Sequence, residues 1–212
     1  MSHLLLLSDT LLDNQACIAP GRTVIAQLQR LLPQNGDWHA SLLPTAHATI
    51  PTVLEHIQSL PADTTHVVMS IGGTYALTTL TGIFTALSSV TEVIQQIYAL
   101  QMHVEQAYLT ALDTLADQHI STIVCTIAEP NFRDSDTQER MVVGLGAVND
   151  SILRCAFVRG VPVVDTRLIC TIPKDYANEI QPSEWGSTMI AAAVVTALTK
   201  HDFATPRSAI YQ

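Results

Sequence analysis

The sequence has little charge and few aromatic residues. Of its 212 residues 14% are charged and 5% are aromatic, whereas 48% are hydrophobic, and the net charge is −9. The high hydrophobic fraction argues against a disordered chain, because disordered chains are polar and highly charged. No basic run or basic-aromatic patch occurs, so nucleic acid is not expected as a partner.

Long apolar runs are also missing. We find no run of about 18 apolar residues, the length that a membrane-spanning helix needs, so no membrane span is expected. The first apolar run, Leu4–Leu7, ends at Ser8 and lacks the basic start and the length of a secretory signal. We interpret it as a buried first strand.

Cysteine is scarce and unclustered. The four residues form no C-x-x-C pair and no group with histidine: Cys17, Cys125, Cys155 and Cys170. We interpret them as reduced core or near-surface thiols, which predicts a cytoplasmic protein.

The histidines show no metal-ligand spacing either, and no cofactor fingerprint is found. Gly72-Gly73 is too short for a phosphate-binding motif. We therefore expect no metal and no cofactor. Seven histidines without a partner pattern are expected to be solvated or on helix surfaces: His3, His39, His56, His66, His103, His119 and His201.

What the chain does have is an alternation of apolar runs and helical periodicity. Unbroken β-branched runs are typical of strands buried on both faces. Five strands are predicted to begin near Leu4, Trp38, His66, Ser121 and Val161. Five helices are predicted over Pro20–Leu32, Ile50–Leu60, Val90–Gln118, Asp134–Arg159 and Glu184–Lys200.

This alternation predicts a single α/β domain over residues 1–212, a three-layer α/β/α sandwich around a five-stranded parallel sheet. Thr78–Thr91, rich in Thr and Ser, is interpreted as a loop or a weak helix. In such a sheet the site lies at the carboxyl ends of the strands. The segments that follow those ends are 8–14, 44–49, 70–77, 126–133 and 165–183.

Three blocks resemble those of the SGNH (GDSL) hydrolases. Leu4–Asn14 resembles the family's apolar strand that runs into Gly-Asp-Ser-Leu, and Ser70–Leu77 resembles its Gly-Gly-Asn-Asp block. Gln181–Gly186 resembles the last block, His-Pro-Ser-x-x-Gly. The blocks follow one another in the family's order over almost the whole chain. Together with the alternation, the resemblance implies the flavodoxin-like strand order 2-1-3-4-5.

The resemblance also implies a mechanism. In this family a Ser attacks an acyl carbonyl, and a His three residues after an Asp removes the Ser proton. The oxyanion is held by backbone N–H groups and an Asn side chain. The degenerate triad positions are here Thr10, Gln181 and Asn178. The oxyanion and cleft positions are Asp9, Gly73, Thr74 and Tyr75, with Thr74 in place of the Asn.

Most of these positions hold residues that are unsuited to the chemistry. Gln181 and Asn178 do not titrate near neutral pH, and the methyl group of Thr10 crowds a tight turn. Losing a triad nucleophile or base costs roughly 10⁴–10⁶ in rate, and losing an oxyanion donor costs about 10²–10³. We therefore expect a pseudoenzyme, impaired or inactive as a serine esterase, which retains a ligand-binding cleft.

The alternative is an active esterase or acyl hydrolase on a small ester, with Thr10 as nucleophile and His47 as a substitute base. A surface-loop role for His47 is the simpler interpretation. In either case the expected partner is a small-molecule ester or a related ligand. The low charge is also compatible with a homo-oligomer.

Other residues have two interpretations each. Asp9 holds the first loop through backbone N–H groups or takes part in catalysis, and Tyr75 lines a pocket or fills space. Asp13 and Asn14 contact a ligand or form a turn. Asp175 and Glu179 are the carboxylates near the last block that could replace the missing Asp.

Overall fold

One parallel sheet forms the centre of the fold. The computed structural model describes residues 2–9, 11–33, 38–44, 50–86 and 89–212. Within them the strands are β1 Ser2–Ser8, β2 Trp38–Pro44, β3 Thr64–Ser70, β4 Ser121–Cys125, β5 Val163–Val164 and β6 Ile210–Tyr211. Every pair is parallel, in the order β2-β1-β3-β4-β5-β6. The predicted order is confirmed, and a sixth strand extends it.

Helices cover both faces of the sheet, which confirms the predicted three-layer sandwich. They are α1 Val24–Leu31, α2 Ile50–Gln58, α3 Gly73–Ala86, α4 Val90–Asp117, α5 Ser135–Val158 and α6 Glu184–Lys200. Leu5 and Leu7 of β1 point into the core beneath α2 to α5. Leu4 and Leu6 point into the core beneath α1 and α6. Because both faces are covered, β1 is apolar at four consecutive positions, Leu4–Leu7, rather than at alternate positions.

Helix α3 corrects one interpretation. Residues 78–86, for which a loop was one option, belong to a regular helix with Leu80 and Ile83 buried on one face. The threonines fit because their hydroxyls bond to the carbonyl four residues earlier, from Thr81 to Leu77 and from Thr85 to Thr81 (both 2.8 Å). These local bonds satisfy side chains that otherwise compete with helix formation.

Helix α5 also departs from the expectation of no membrane span. By length and composition it could cross a membrane. In the described fold, however, Leu145, Val148 and Ile152 are buried in the core against the sheet and α4. Half of the most apolar stretch of α5 is buried by this packing.

Candidate functional site

Asp9 joins the end of β1 to the start of α3. Its carboxylate accepts a hydrogen bond from the Thr74 N–H (3.0 Å), and its own N–H donates to the Ser70 carbonyl (3.1 Å). A Cβ on Gly73 would lie 3.4 Å from both carboxylate oxygens, which is ordinary contact, so the carboxylate packs directly against the first turn of α3. A negative charge is favourable at a helix N-terminus. Asp9 is 3% exposed and holds α3 in place through a backbone N–H of the Gly-Gly block.

Asn14 joins the first block to the last. It is fully buried, and its amide nitrogen donates to the Pro182 carbonyl (3.0 Å) and to the Ser187 hydroxyl (2.8 Å). Its oxygen accepts from the Val24 N–H (3.3 Å) at the start of α1. These bonds support the structural interpretation of Asn14 rather than contact with a ligand.

Asn178 and Gln181, which the resemblance assigns to the family's Asp and His, contact each other. The Asn178 amide donates to the Gln181 side-chain oxygen (2.8 Å), and the Asn178 oxygen accepts the N–H groups of Ile180 (3.0 Å) and Gln181 (2.8 Å). Gln181 in turn donates to the Asp13 carbonyl (3.3 Å). The arrangement orients Gln181 well, but a neutral amide cannot accept a proton near neutral pH.

Cys17 completes this cluster, although no motif or spacing in the sequence marks it as a site residue. Its thiol donates to the Gln181 oxygen (2.6 Å) and accepts from the Asn178 amide (3.2 Å). Cys17 is exposed, whereas the other three cysteines are buried. Desolvation raises the pKa of Cys125 and Cys170 to about 12 and that of Cys155 to about 11. Cys17 is therefore the thiol that solvent reagents reach.

Residues of the first two blocks line a small cavity at the carboxyl ends of the strands, and Ile180, just before the last block, borders it. It is lined by Asp9, Leu11, Ser70, Gly73, Leu77, Ile127, Ala128 and Ile180. Its volume is about 20 Å³, which is room for a water molecule, whereas ligand pockets measure roughly 300–1,000 Å³. Larger cavities of about 260 and 310 Å³ border the amino ends of the strands and β6, away from the three blocks.

Two of the predicted site residues, Thr10 and His47, lie outside the described residues, and so does Ala46. The Thr10–His47 pair therefore stays a prediction, and the catalytic roles of the other site residues are likewise predictions. Tyr75 is exposed and packs on His103 of α4, with ring centres 5.2 Å apart, so it stands outside the cavity wall.

Asp175 is bound to the loop before it rather than to Gln181. One carboxylate oxygen accepts the N–H groups of Thr171 (2.9 Å) and Ile172 (3.0 Å). The other oxygen is buried without a hydrogen-bond partner among the described residues. Glu179 is exposed, and its backbone carbonyl accepts from the Asn131 N–H (2.7 Å). The Asp175 carboxylate thus holds the loop before it and does not take the orienting role of the family's Asp.

Solved structures share this architecture. No family model and no curated protein matches the sequence. A lipolytic protein of the G-D-S-L family from Veillonella parvula aligns with a TM-score of 0.70 at 13% identity, over 95% of this chain and 100% of the other. The chain has the SGNH (GDSL) hydrolase fold.

Two further SGNH-fold structures agree. Phospholipase A1 from Streptomyces albidoflavus has a TM-score of 0.66 at 11% identity, over 93% of this chain and 98% of the other. A psychrotrophic esterase from Pseudoalteromonas has a TM-score of 0.63 at 12% identity, over 93% and 97%. Identities this low establish the fold alone.

Proposed function

We propose that this SGNH-fold chain is impaired as a serine esterase and retains its cleft as a binding site for a small ester or a related ligand. The observation that carries the proposal is the hydrogen-bonded cluster of Cys17, Asn178 and Gln181. At the positions that the resemblance assigns to the family's acid and base, Asn178 and Gln181 are neutral amides held by this cluster, and a neutral amide does not act as a base near neutral pH.

The missing base matters most for the rate. A hydroxyl nucleophile is weak at neutral pH unless a neighbouring base removes its proton as it attacks. Gln181 instead uses its oxygen to accept from Asn178 and Cys17, and its nitrogen to donate to the Asp13 carbonyl. A side chain held in this way stabilises the loop and provides no route for a proton.

The cavity wall suggests the class of ligand. Leu11, Leu77, Ile127 and Ile180 give it apolar sides, and the buried Asp9 carboxylate lies in the same wall. Ile180 is partly exposed and belongs to the short turn that carries the Asn178–Gln181 pair. Movement of this side chain would open the cavity toward solvent, and a short acyl or other small apolar group would then fit against the wall.

The test is hydrolysis of short p-nitrophenyl esters. An exposed thiol is acylated by such esters and releases p-nitrophenolate once, so the assay uses a Cys17→Ala background and scores continuous turnover. We expect hydrolysis close to the buffer rate, unchanged by Thr10→Ala.

The opposite outcome would establish the alternative. Brisk turnover that Thr10→Ala abolishes would show that the chain is an active esterase with Thr10 as nucleophile. His47→Ala would then be as damaging as Thr10→Ala, because a nucleophile and its base act as a unit and their losses do not add. If His47→Ala had no effect in that case, a different base would be at work.

A further inference from the structure

We propose that His3, His39 and Asp63 form a binding site for a divalent transition-metal ion, with zinc as the best fit. The cluster lies at the amino ends of β1, β2 and β3, the edge of the sheet opposite the candidate active site. It is independent of the proposed function and replaces the expectation that these histidines have no partners.

Strand pairing brings the three residues together. His3 is the register partner of His39 in the β1–β2 pair and of Thr64 in the β1–β3 pair, and Asp63 immediately precedes Thr64. The His3 backbone is further fixed by the Thr65 hydroxyl, which accepts the His3 N–H (3.0 Å) and donates to the His3 carbonyl (3.1 Å). The ligands therefore project from a rigid edge of the sheet.

The distances suit a small ion. His3 Nδ1 lies 3.1 Å from one Asp63 oxygen, and His39 Nε2 lies 3.4 Å from the other. One ligand atom from each residue can be chosen so that all three lie within 4.8 Å of one another. In a tetrahedral zinc site with bonds of about 2.0–2.1 Å, neighbouring ligand atoms are about 3.3 Å apart. Each of the two His–Asp distances is close to that value, but the two histidines face different oxygens of Asp63, so coordination by one oxygen requires the exposed carboxylate to turn.

Ser41 supplies the outer contact that metal-binding histidines normally have. Its hydroxyl lies 2.6 Å from His3 Nε2. When His3 Nε2–H donates to this hydroxyl, Nδ1 carries the free lone pair that faces Asp63, which is the tautomer that a metal requires. The opposite tautomer makes an ordinary Ser–His–Asp hydrogen-bonded chain and leaves Nδ1 protonated.

The exposure of the cluster fits a site that is filled from solvent. His3 is 4% exposed, whereas the side chains of His39 and Asp63 are 37% and 63% exposed. The His3 and His39 rings are stacked, with centres 4.0 Å apart and planes 20° apart, so joint coordination requires the half-exposed His39 ring to tilt. His39 Nδ1 has no hydrogen-bond partner among the described residues, so tilting breaks no bond at that atom.

The ligand set selects the class of metal. Two imidazoles and one carboxylate favour zinc and its neighbours in the first transition series, whereas magnesium prefers a shell of oxygens. A fourth position remains for water, as in zinc sites with three protein ligands.

The experiment is calorimetric titration of the metal-free, untagged protein with zinc chloride, with magnesium chloride in a parallel run. We expect one equivalent of zinc to bind and magnesium not to compete. Asp63→Asn and His39→Phe should each weaken zinc binding at least tenfold, and Ser41→Ala should weaken it about tenfold by releasing His3. His39→Phe keeps a stacked ring, and Asp63→Asn keeps the shape of the side chain, so both variants are expected to fold.

The matched control is His103→Ala, which removes an exposed histidine from α4 at a distance from the sheet edge. It should bind zinc as the wild type does, and zinc should raise the thermal midpoint of both proteins but not that of Asp63→Asn. The proposal is overturned by the absence of saturable one-to-one binding, or by binding that survives both Asp63→Asn and His39→Phe. Equal loss in His103→Ala would overturn it as well.

Discussion

Gly186 is the residue whose substitution tests the packing of the last block most sharply. It lies in the first turn of α6, and a Cβ at this position would be 2.3 Å from the Asp175 carbonyl oxygen and 3.1 Å from the Pro182 Cβ. Ordinary contact begins at 3.4 Å, so the loop and the helix would have to separate by about 1 Å. The same carbonyl accepts the Ser183 N–H (2.8 Å), so separation also weakens the cap of α6.

Two opposing effects determine how much Gly186→Ala changes the free energy of unfolding. Overpacking costs about 1–3 kcal/mol, and the upper end applies because the atom in the way is backbone. Alanine gains about 1 kcal/mol over glycine inside a helix. We therefore expect Gly186→Ala to lower the free energy of unfolding by about 2 kcal/mol. Gly146→Ala on α5, where no atom lies within 4 Å of the added Cβ, should raise it by up to about 1 kcal/mol.

The assay is equilibrium unfolding in urea, followed by circular dichroism, of both variants and the wild type. The free energies are comparable when the three proteins have the same m-value, the slope of the free energy of unfolding against urea concentration. The two glycine variants should differ from each other by about 3 kcal/mol. Equal stability of Gly186→Ala and Gly146→Ala would refute the close approach of α6 to the Asp175 loop, and with it the described geometry of the last block.

Three further predictions concern the same edge of the sheet. Asn14→Leu should lower the free energy of unfolding by about 2–4 kcal/mol in urea, because it leaves the buried partners of Asn14 unpaired. A thiol reagent should label Cys17 alone in native protein and all four cysteines after denaturation, as counted by mass spectrometry. Burial favours a raised pKa for Asp165, but hydrogen bonds from Arg167 and Thr126 hold that pKa below its usual value. Charged Asp165 therefore stabilises the fold above about pH 4, and this stabilisation is lost as the pH falls further. Asp165→Asn should lower the free energy of unfolding by about 1–3 kcal/mol at pH 7, and the difference from the wild type should shrink as the pH is lowered.

The sheet was predictable because the signals of its longer strands are local. Leu4–Leu7 and the run around Val67 and Val68 are continuous apolar segments, which helices on both faces require. Strand β6 was not predictable, since Ile210–Tyr211 is two residues long and is defined by its pairing with β5. Helix α3 was ambiguous because threonine favours several conformations until its hydroxyl finds a carbonyl.

The candidate site was predictable where its contacts are local and hidden where they are not. Asn178 and Gln181 are three residues apart, the spacing of the family's Asp and His, and the last block pointed to both positions. Cys17 meets Gln181 across 164 positions of the sequence, and no spacing pattern signals a contact of that kind. The same holds for His3 and Asp63, 60 positions apart, which strand register alone brings into contact.

The central claim is that the chain keeps the hydrolase scaffold but lacks the residues for ester hydrolysis, and restoring the family's residues tests it most directly. The measurement is steady-state hydrolysis of a p-nitrophenyl ester by the variant Thr10→Ser, Asn178→Asp, Gln181→His in the Cys17→Ala background. If the scaffold is intact and only the chemistry is missing, this variant should turn over well above the parent. A matched control carries Thr10→Ala in place of Thr10→Ser, with the other substitutions kept, and it should lose the gain. A restored protein that unfolds in urea like the parent and yet hydrolyses no faster than this control would contradict the account.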